Sequence, residues 1–182
     1  MKTIEEIIKD IQKNNYENCL EYFTDKDTIK KIIACDITAF RYIPDSFKDK
    51  EMCLFACQCH FSAYHFLPAE LKADKEILME VLSQFGGMLK YCPDEIKDNK
   101  EFVLLAVSTD AGSVKYSSPE LLKNKEFCKK IVFRYPSTIH FLPVFFNDID
   151  VGMFILRIHP EFRNLFSKKV IKRYELELLG II

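Results

Sequence analysis

Apolar residues along this chain return in two alternating patterns that together recur every 24 or 25 residues. In the first pattern, counting from an acid at Asp27, Glu51, Glu76, Glu101, Glu126 or Asp150, apolar side chains favour the first, second, fifth and sixth following positions. Examples are Phe102, Val103, Ala106 and Val107, or Phe127, Cys128, Ile131 and Val132. Such spacing draws one broad stripe along a helix of about ten residues. Two residues before each acid stands Asp25, Asp49, Asp74, Asn99, Asn124 or Asp148. Asp or Asn there caps the helix by accepting hydrogen bonds from its first free N–H groups, and the acid suits the positive end of the helix dipole.

The second pattern is an apolar residue, a basic residue, an aromatic, a spacer and proline. Its copies are Phe40-Arg41-Tyr42-Ile43-Pro44, Tyr64-His65-Phe66-Leu67-Pro68, Leu89-Lys90-Tyr91-Cys92-Pro93 and Ile139-His140-Phe141-Leu142-Pro143, with Val114-Lys115-Tyr116-Ser117-Ser118-Pro119 carrying one extra spacer. Between the two patterns lie short turn-rich stretches such as Gln84-Phe85-Gly86-Gly87, Thr109-Asp110-Ala111-Gly112-Ser113 and Tyr135-Pro136-Ser137-Thr138. Each unit reads as helix, tight loop, second helix. The proline either starts a new turn or bends the second helix, and the acids Asp45, Asp94, Glu95 and Glu120 that follow it suit a first turn. The regular placement of Tyr42, Phe66, Tyr91, Tyr116 and Phe141 puts these rings in the core between units.

A period of this length means stacked supersecondary units, none of which buries its apolar side alone. The fold class is therefore all-α, a solenoid-like array of about six helix-loop-helix repeats in one domain, 1–182, after an N-terminal partial repeat. Residues 1–23 form that partial repeat or cap, 24–146 five regular repeats, and 147–182 a divergent C-terminal repeat or cap. In the first segment Thr3 and Glu6 make a capping box, Ile4, Ile7, Ile8 and Ile11 supply the stripe, and Leu20-Glu21-Tyr22 echoes the later motif. At the far end Ile149 replaces the usual lysine, Lys168 stands where proline is due, and Glu161 to Leu179 reads as one longer charged helix. Terminal repeats need such a polar outer face.

Composition narrows the function classes. A content of 48% hydrophobic residues, with 16 Phe, supplies a core for 182 residues. The net charge of −1 gives no bulk attraction to nucleic acid or an anionic membrane. No apolar run approaches the roughly 18 residues of a membrane span, and the acidic start at Glu5 and Glu6 does not read as a secretion signal. Seven cysteines without framework spacing point to free thiols in a reducing compartment, the cytoplasm.

The stretches from Tyr42 to Leu54 and from Tyr91 to Val107, with Pro44-Asp45-Ser46-Phe47-Lys48-Asp49-Lys50-Glu51 and Pro93-Asp94-Glu95-Ile96-Lys97-Asp98-Asn99-Lys100-Glu101 at their centres, resemble a family of domain-of-unknown-function helical repeats. Its units run as ALKYASEELKNDKEFVLAAV or ALKYVPEELKTPEMCLAAV, and the likeness covers residues 24 to about 146. The resemblance implies repeats of the kind carried by intracellular bacteria, protists and giant viruses, often in effector-like proteins, with host-cell cytosol as one setting. It transfers no catalytic residue.

Cys53, Cys57, Cys59 and His60 cluster in sequence, and Cys53 with Cys57 would share a helix face, a spacing compatible with zinc. However, Cys53 occupies the place of Leu78, Val103 and Cys128, and Cys57 that of Leu82, Val107 and Val132. Both read as small buried hydrophobes, so no metal or other cofactor is assigned. No nucleophile elbow, HExxH or phosphate-cradling glycine loop occurs, and no catalytic residue is assigned.

The basic positions Arg41, His65, Lys90, Lys115 and His140 fall at one place in five consecutive units. With packed helices about 8–10 Å apart, they would form a row on the order of 40 Å long. Such a row either binds an acidic peptide or helix or pairs with acids of the next unit. The stretches between the two patterns differ from unit to unit, and Phe61, Phe85, Tyr135 and Arg157, with Asp110, Arg134 and His159, would gather on one edge. The sequence thus predicts a non-enzymatic protein-protein interaction module or adaptor, possessing a protein partner and no membrane association. Two alternatives are an enzyme with an unrecognised Cys/His site and a single-stranded nucleic-acid binder, the latter disfavoured by the balanced charge.

Overall fold

A computed structural model describes residues 2–13 and 19–181, and every regular element among them is helical. The chain divides into two compact units, residues 1–88 and 89–182. The first holds α1 (Ile4–Lys13), α2 (Lys26–Cys35), α3 (Lys50–Cys59) and α4 (Lys75–Gln84). The second holds α5 (Asp94–Lys97), α6 (Lys100–Thr109), α7 (Pro119–Lys123), α8 (Lys125–Arg134), α9 (Ile149–Ile158) and α10 (Lys168–Leu178).

The caps fall where the sequence puts them. Asp25, Asp49, Asp74, Asn99, Asn124 and Asp148 each accept a backbone N–H two or three residues ahead, opening α2, α3, α4, α6, α8 and α9, and each of these helices is 10 residues long. The capping box also forms: the Thr3 N–H donates to Glu6 Oε2 at 2.8 Å and the Glu6 N–H to Thr3 Oγ1 at 3.2 Å. The stripe residues face inward, with Met52, Cys53, Ala56 and Cys57 of α3 and their equivalents in α4, α6 and α8 all buried. Positions 14–18, and the side chains of Cys19 and Leu20, on which part of the partial N-terminal repeat was read, lie outside the described residues.

The second half of each repeat is a 3-10 helix of six residues, as at Ile37–Tyr42, Phe61–Phe66, Gly86–Tyr91, Ala111–Tyr116 and Pro136–Phe141. The stretches read as loops are mostly these helices. A single non-helical residue, extended at Asp36, His60, Phe85 and Asp110 and less open at Tyr135 and His159, separates each from the preceding α-helix. Where that residue is Asp36, His60 or Asp110, its side chain also caps the 3-10 helix by accepting from Thr38, Ser62 or Gly112 N–H. The proline then opens a fresh short helical turn, at Asp45–Phe47, Ala69–Leu71, α5, α7 and Pro143–Phe145, rather than bending the helix before it.

Two layers result inside each unit. In residues 1–88, α1 packs on α2, α2 on α3 and α3 on α4, while the 3-10 helix 37–42 packs on 61–66. In residues 89–182, α8 packs on α9 and α9 on α10, and the 3-10 helix 111–116 packs on 136–141. Lysines tie neighbouring α-helices together through the caps. Lys26 reaches Asp49, Lys50 lies 3.0 Å from both Asp74 and Glu76, and Lys125 lies 2.7 Å from Asp148.

The C-terminal segment corrects the expectation of one helix over Glu161 to Leu179. Pro160–Leu165 is again 3-10, and α10 starts only at Lys168 after a break at Phe166 and Ser167. Lys168 thus takes the first-turn place that Pro119 and Pro143 hold in earlier repeats, and the short element that follows is lengthened into an 11-residue helix. Gly152 of α9 makes room for it: a Cβ there would lie 2.5 Å from Val170 Cγ1.

Candidate interaction surface

The 3-10 geometry decides which side chains of the second motif reach solvent. With three residues per turn, residues three apart lie on one face. Phe40 and Ile43, Tyr64 and Leu67, Leu89 and Cys92, Val114 and Ser117, and Ile139 and Leu142 are accordingly buried. The basic residue and the aromatic between each pair must turn outward. Arg41, His65, Lys90, Lys115 and His140 are all exposed. The aromatics depart from the expectation of an inter-unit core: Tyr91 is 53% and Phe141 39% exposed, and Tyr42, Phe66 and Tyr116 are half-buried. Their cue in the sequence was the three-residue spacing of the apolar pairs, which a 3.6-residue period conceals.

These rings and cations alternate. In residues 1–88 the Arg41 guanidinium lies 5.7 Å from the Tyr42 centroid and 5.8 Å from that of Phe66 on the neighbouring 3-10 helix. Within residues 89–182 Lys115 Nζ lies 5.0 Å from Tyr116 and 6.0 Å from Phe141, Lys90 lies 5.4 Å from Tyr91, and the His140 ring meets Phe162 edge-on at 5.5 Å. A cation over a ring face is attracted by the ring quadrupole, worth about 0.5–1 kcal/mol at an exposed site. No carboxylate among the described residues pairs with Arg41, Lys90 or Lys115, so the pairing with acids of the next unit falls instead to Lys26, Lys30, Lys50, Lys125 and Lys129.

The residues read as a variable edge each lie at or next to the α-helix to 3-10 junction of their own repeat, with differing surroundings. Phe61 stacks on His60 at 4.3 Å and meets Phe85 at 4.9 Å, giving residues 1–88 an aromatic pair of which Phe85 is exposed. Arg134 lies over the Tyr135 ring at 5.5 Å. Arg157 forks onto Glu177 of α10 with two bonds of 2.7 Å, so its guanidinium holds the last helix in place. His159 Nδ1 is 3.0 Å from Glu161 Oε1.

The cysteines behave as core. Burial pushes the thiols of Cys53 and Cys128 up to about 11 and that of Cys57 up to about 12, against the thiolate that nucleophilic or metal chemistry needs. Cys59 is exposed, and its thiol too is raised, by partial desolvation.

Helical elements that repeat in tandem, with a shared cap, stripe and cation-ring motif, define an all-α repeat protein. Residues 25–72 and 74–123 each match the family described as Domain of unknown function (DUF4116), over half of the chain in all, and each match spans two of the repeats. The chain belongs to that family. Neither a curated protein nor a solved structure matches it.

Proposed function

We propose that this chain is a non-enzymatic interaction module, a solenoid-like adaptor that binds another protein through the outward face of its 3-10 helices. The observation that carries the reading is the exposure of Arg41, Lys90 and Lys115 against aromatic rings, with no carboxylate partner among the described residues. Aromatics and arginine are the residue types enriched in protein interfaces, and unpaired cations give such a face electrostatic preference for an acidic partner. Raised thiol values at Cys53, Cys57 and Cys128 weigh against a cysteine-based enzyme. The setting proposed is the reducing cytosol, host-cell cytosol included for an effector-like protein, where the free thiols persist.

Exposed rings beside cations also favour a second reading, single-stranded nucleic acid, whose bases stack on such platforms. Affinity capture from a nuclease-treated lysate, with wild type beside Lys90→Glu/Lys115→Glu, separates the two. Protein partners recovered by wild type and lost from the variant support the module. Equal recovery by both overturns this face as the binding site, and partners that vanish on nuclease treatment favour nucleic acid.

A further inference from the structure

We infer that α10 and the turn after it, residues 168–181, dock on an anionic phospholipid surface, an interaction separate from the protein binding proposed above. Charge order is the first argument. Every helix from α1 to α9 carries an acid in its first turn, the arrangement that the helix dipole favours. In α10 the first turn holds Lys168 and Lys169 instead, Lys172 and Arg173 follow, and the acids Glu175 and Glu177 come only toward the far end. The N-cap Ser167 adds no side-chain hydrogen bond. Cations set against the dipole cost the helix stability, and a local rule broken in one helix points to a use outside the fold. These charges are available to a partner. Among the described residues Lys168, Lys169, Lys172 and Arg173 are exposed and form no ion pair, while Glu175 and Glu177 beside them are already held by Arg163 and Arg157. Across residues 157–181 the cations Arg157, Arg163, Lys168, Lys169, Lys172 and Arg173 outnumber the acids Glu161, Glu175 and Glu177, an excess that the net charge of −1 averages away.

The second argument is the apolar end of the same helix. Val170 is the one buried residue of α10, seated over Gly152 of α9. With about 3.6 residues per turn, Lys168, Lys172 and Leu179 lie opposite Val170, so the ridge facing away from the fold carries cations and then an aliphatic end. Leu178, Leu179 and Ile181 are 68%, 72% and 61% exposed. Gly180, at a φ of 68°, turns the chain so that the Ile181 N–H donates to the Leu176 carbonyl, which keeps Ile181 beside the two leucines. Aliphatic side chains that protrude this far give a peptide no recess to enter. They suit the boundary between lipid headgroups and acyl chains, into which an amphipathic helix sinks its apolar side by about 5–10 Å while lysine stems reach back to the phosphates. An acidic protein would satisfy the four cations but offers nothing to the leucines.

Co-sedimentation of the whole chain with vesicles tests this, phosphatidylcholine alone beside phosphatidylcholine mixed with phosphatidylserine. Wild type should pellet with the anionic vesicles at low salt and stay in solution with the neutral ones. Each cation near such a surface is worth about a fivefold gain in partitioning, so Lys168→Gln/Lys172→Gln should bind roughly 30-fold more weakly. That variant also takes two cations off the positive end of the helix, so its thermal midpoint should hold or rise. Leu178→Ala/Leu179→Ala, at exposed positions, should weaken binding at least about tenfold. Equal binding to both vesicles, no binding to either, or binding unmoved by the lysine pair overturns the inference. So does tighter retention on immobilised poly-glutamate than on anionic vesicles, release by inorganic phosphate but not by chloride at equal ionic strength, or self-association through the leucines without vesicle binding. None of these results bears on capture of partners through Lys90 and Lys115.

Discussion

Gly152 sets two physical effects against each other. Other repeats place Cys53, Leu78, Val103 or Cys128 at its position, so repeat consensus argues for a side chain there. Helix propensity argues the same way, since Ala in a helix interior is worth about 1 kcal/mol over Gly. The neighbourhood argues against it. A Cβ on Gly152 would lie 2.5 Å from Val170 Cγ1 and 3.2 Å from Phe166 Cδ1, where carbon atoms settle at about 3.5–4.0 Å. Neither neighbour yields readily: Val170 is fully buried and β-branched, and Phe166 is buried at the break before α10. Opening a gap of about 1 Å moves α10 off α9, and overpacking of this kind costs about 1–3 kcal/mol. Gly152→Ala should therefore lose about 1 kcal/mol net in urea unfolding, with faster amide exchange in α10. Val170→Ala removes the colliding methyls, so the double variant should be more stable than the sum of the singles by at least about 1 kcal/mol. A gain in stability for Gly152→Ala alone, or strict additivity with Val170→Ala, would refute this account of how the last helix docks.

Two further perturbations test the repeat core and its caps. Ser113 is fully buried with its hydroxyl unpaired, at the position Ala39 and Ala63 hold in earlier repeats; Ser113→Ala should stabilise by about 1 kcal/mol, and a thermal midpoint that falls would refute the burial cost assigned to it. The Lys26 ammonium and then the Met52 N–H hold Asp49 below its ordinary value. Burial raises Asp74 and Asp148, but Lys50 and Lys125 with the cap N–H groups outweigh it and leave both lowered. These depressed carboxyls contribute stability that is complete above the unfolded value, about 3.9, and is lost as pH falls through the lower folded values. Acidification to about pH 3 should lower amide protection factors, taken against the intrinsic exchange rate at each pH, in the first turns of α3, α4 and α9 more than in α6 and α8, whose Asn99 and Asn124 caps do not titrate at those pH values. A uniform loss of protection across all five helices would contradict the cap mechanism.

The sequence by itself determined the α-helical half of every repeat. Cap, acid and stripe are local: the N–H groups that Asp49 or Asn124 satisfy lie three residues away, and the stripe needs only the 3.6-residue period, so the helix starts were legible to the residue and the lengths to about ten residues. Proline's role was legible in part, because the acids after it favoured the first-turn reading that Asp45–Phe47 and α5 adopt. The cationic positions were readable too, but their neighbours were not. Tyr91 and Phe141 are as hydrophobic in sequence as any core residue, and only the 3-10 period, set by docking Leu89 with Cys92 and Ile139 with Leu142 inward, turned them out beside Lys90 and Lys115. Likewise the capacity of Gly152 to admit Val170 belongs to the packing of α10 on α9. Hydrogen bonds within one turn are encoded where they form, whereas the side a ring faces, and the space a missing side chain leaves, are properties of the neighbours that pack against it.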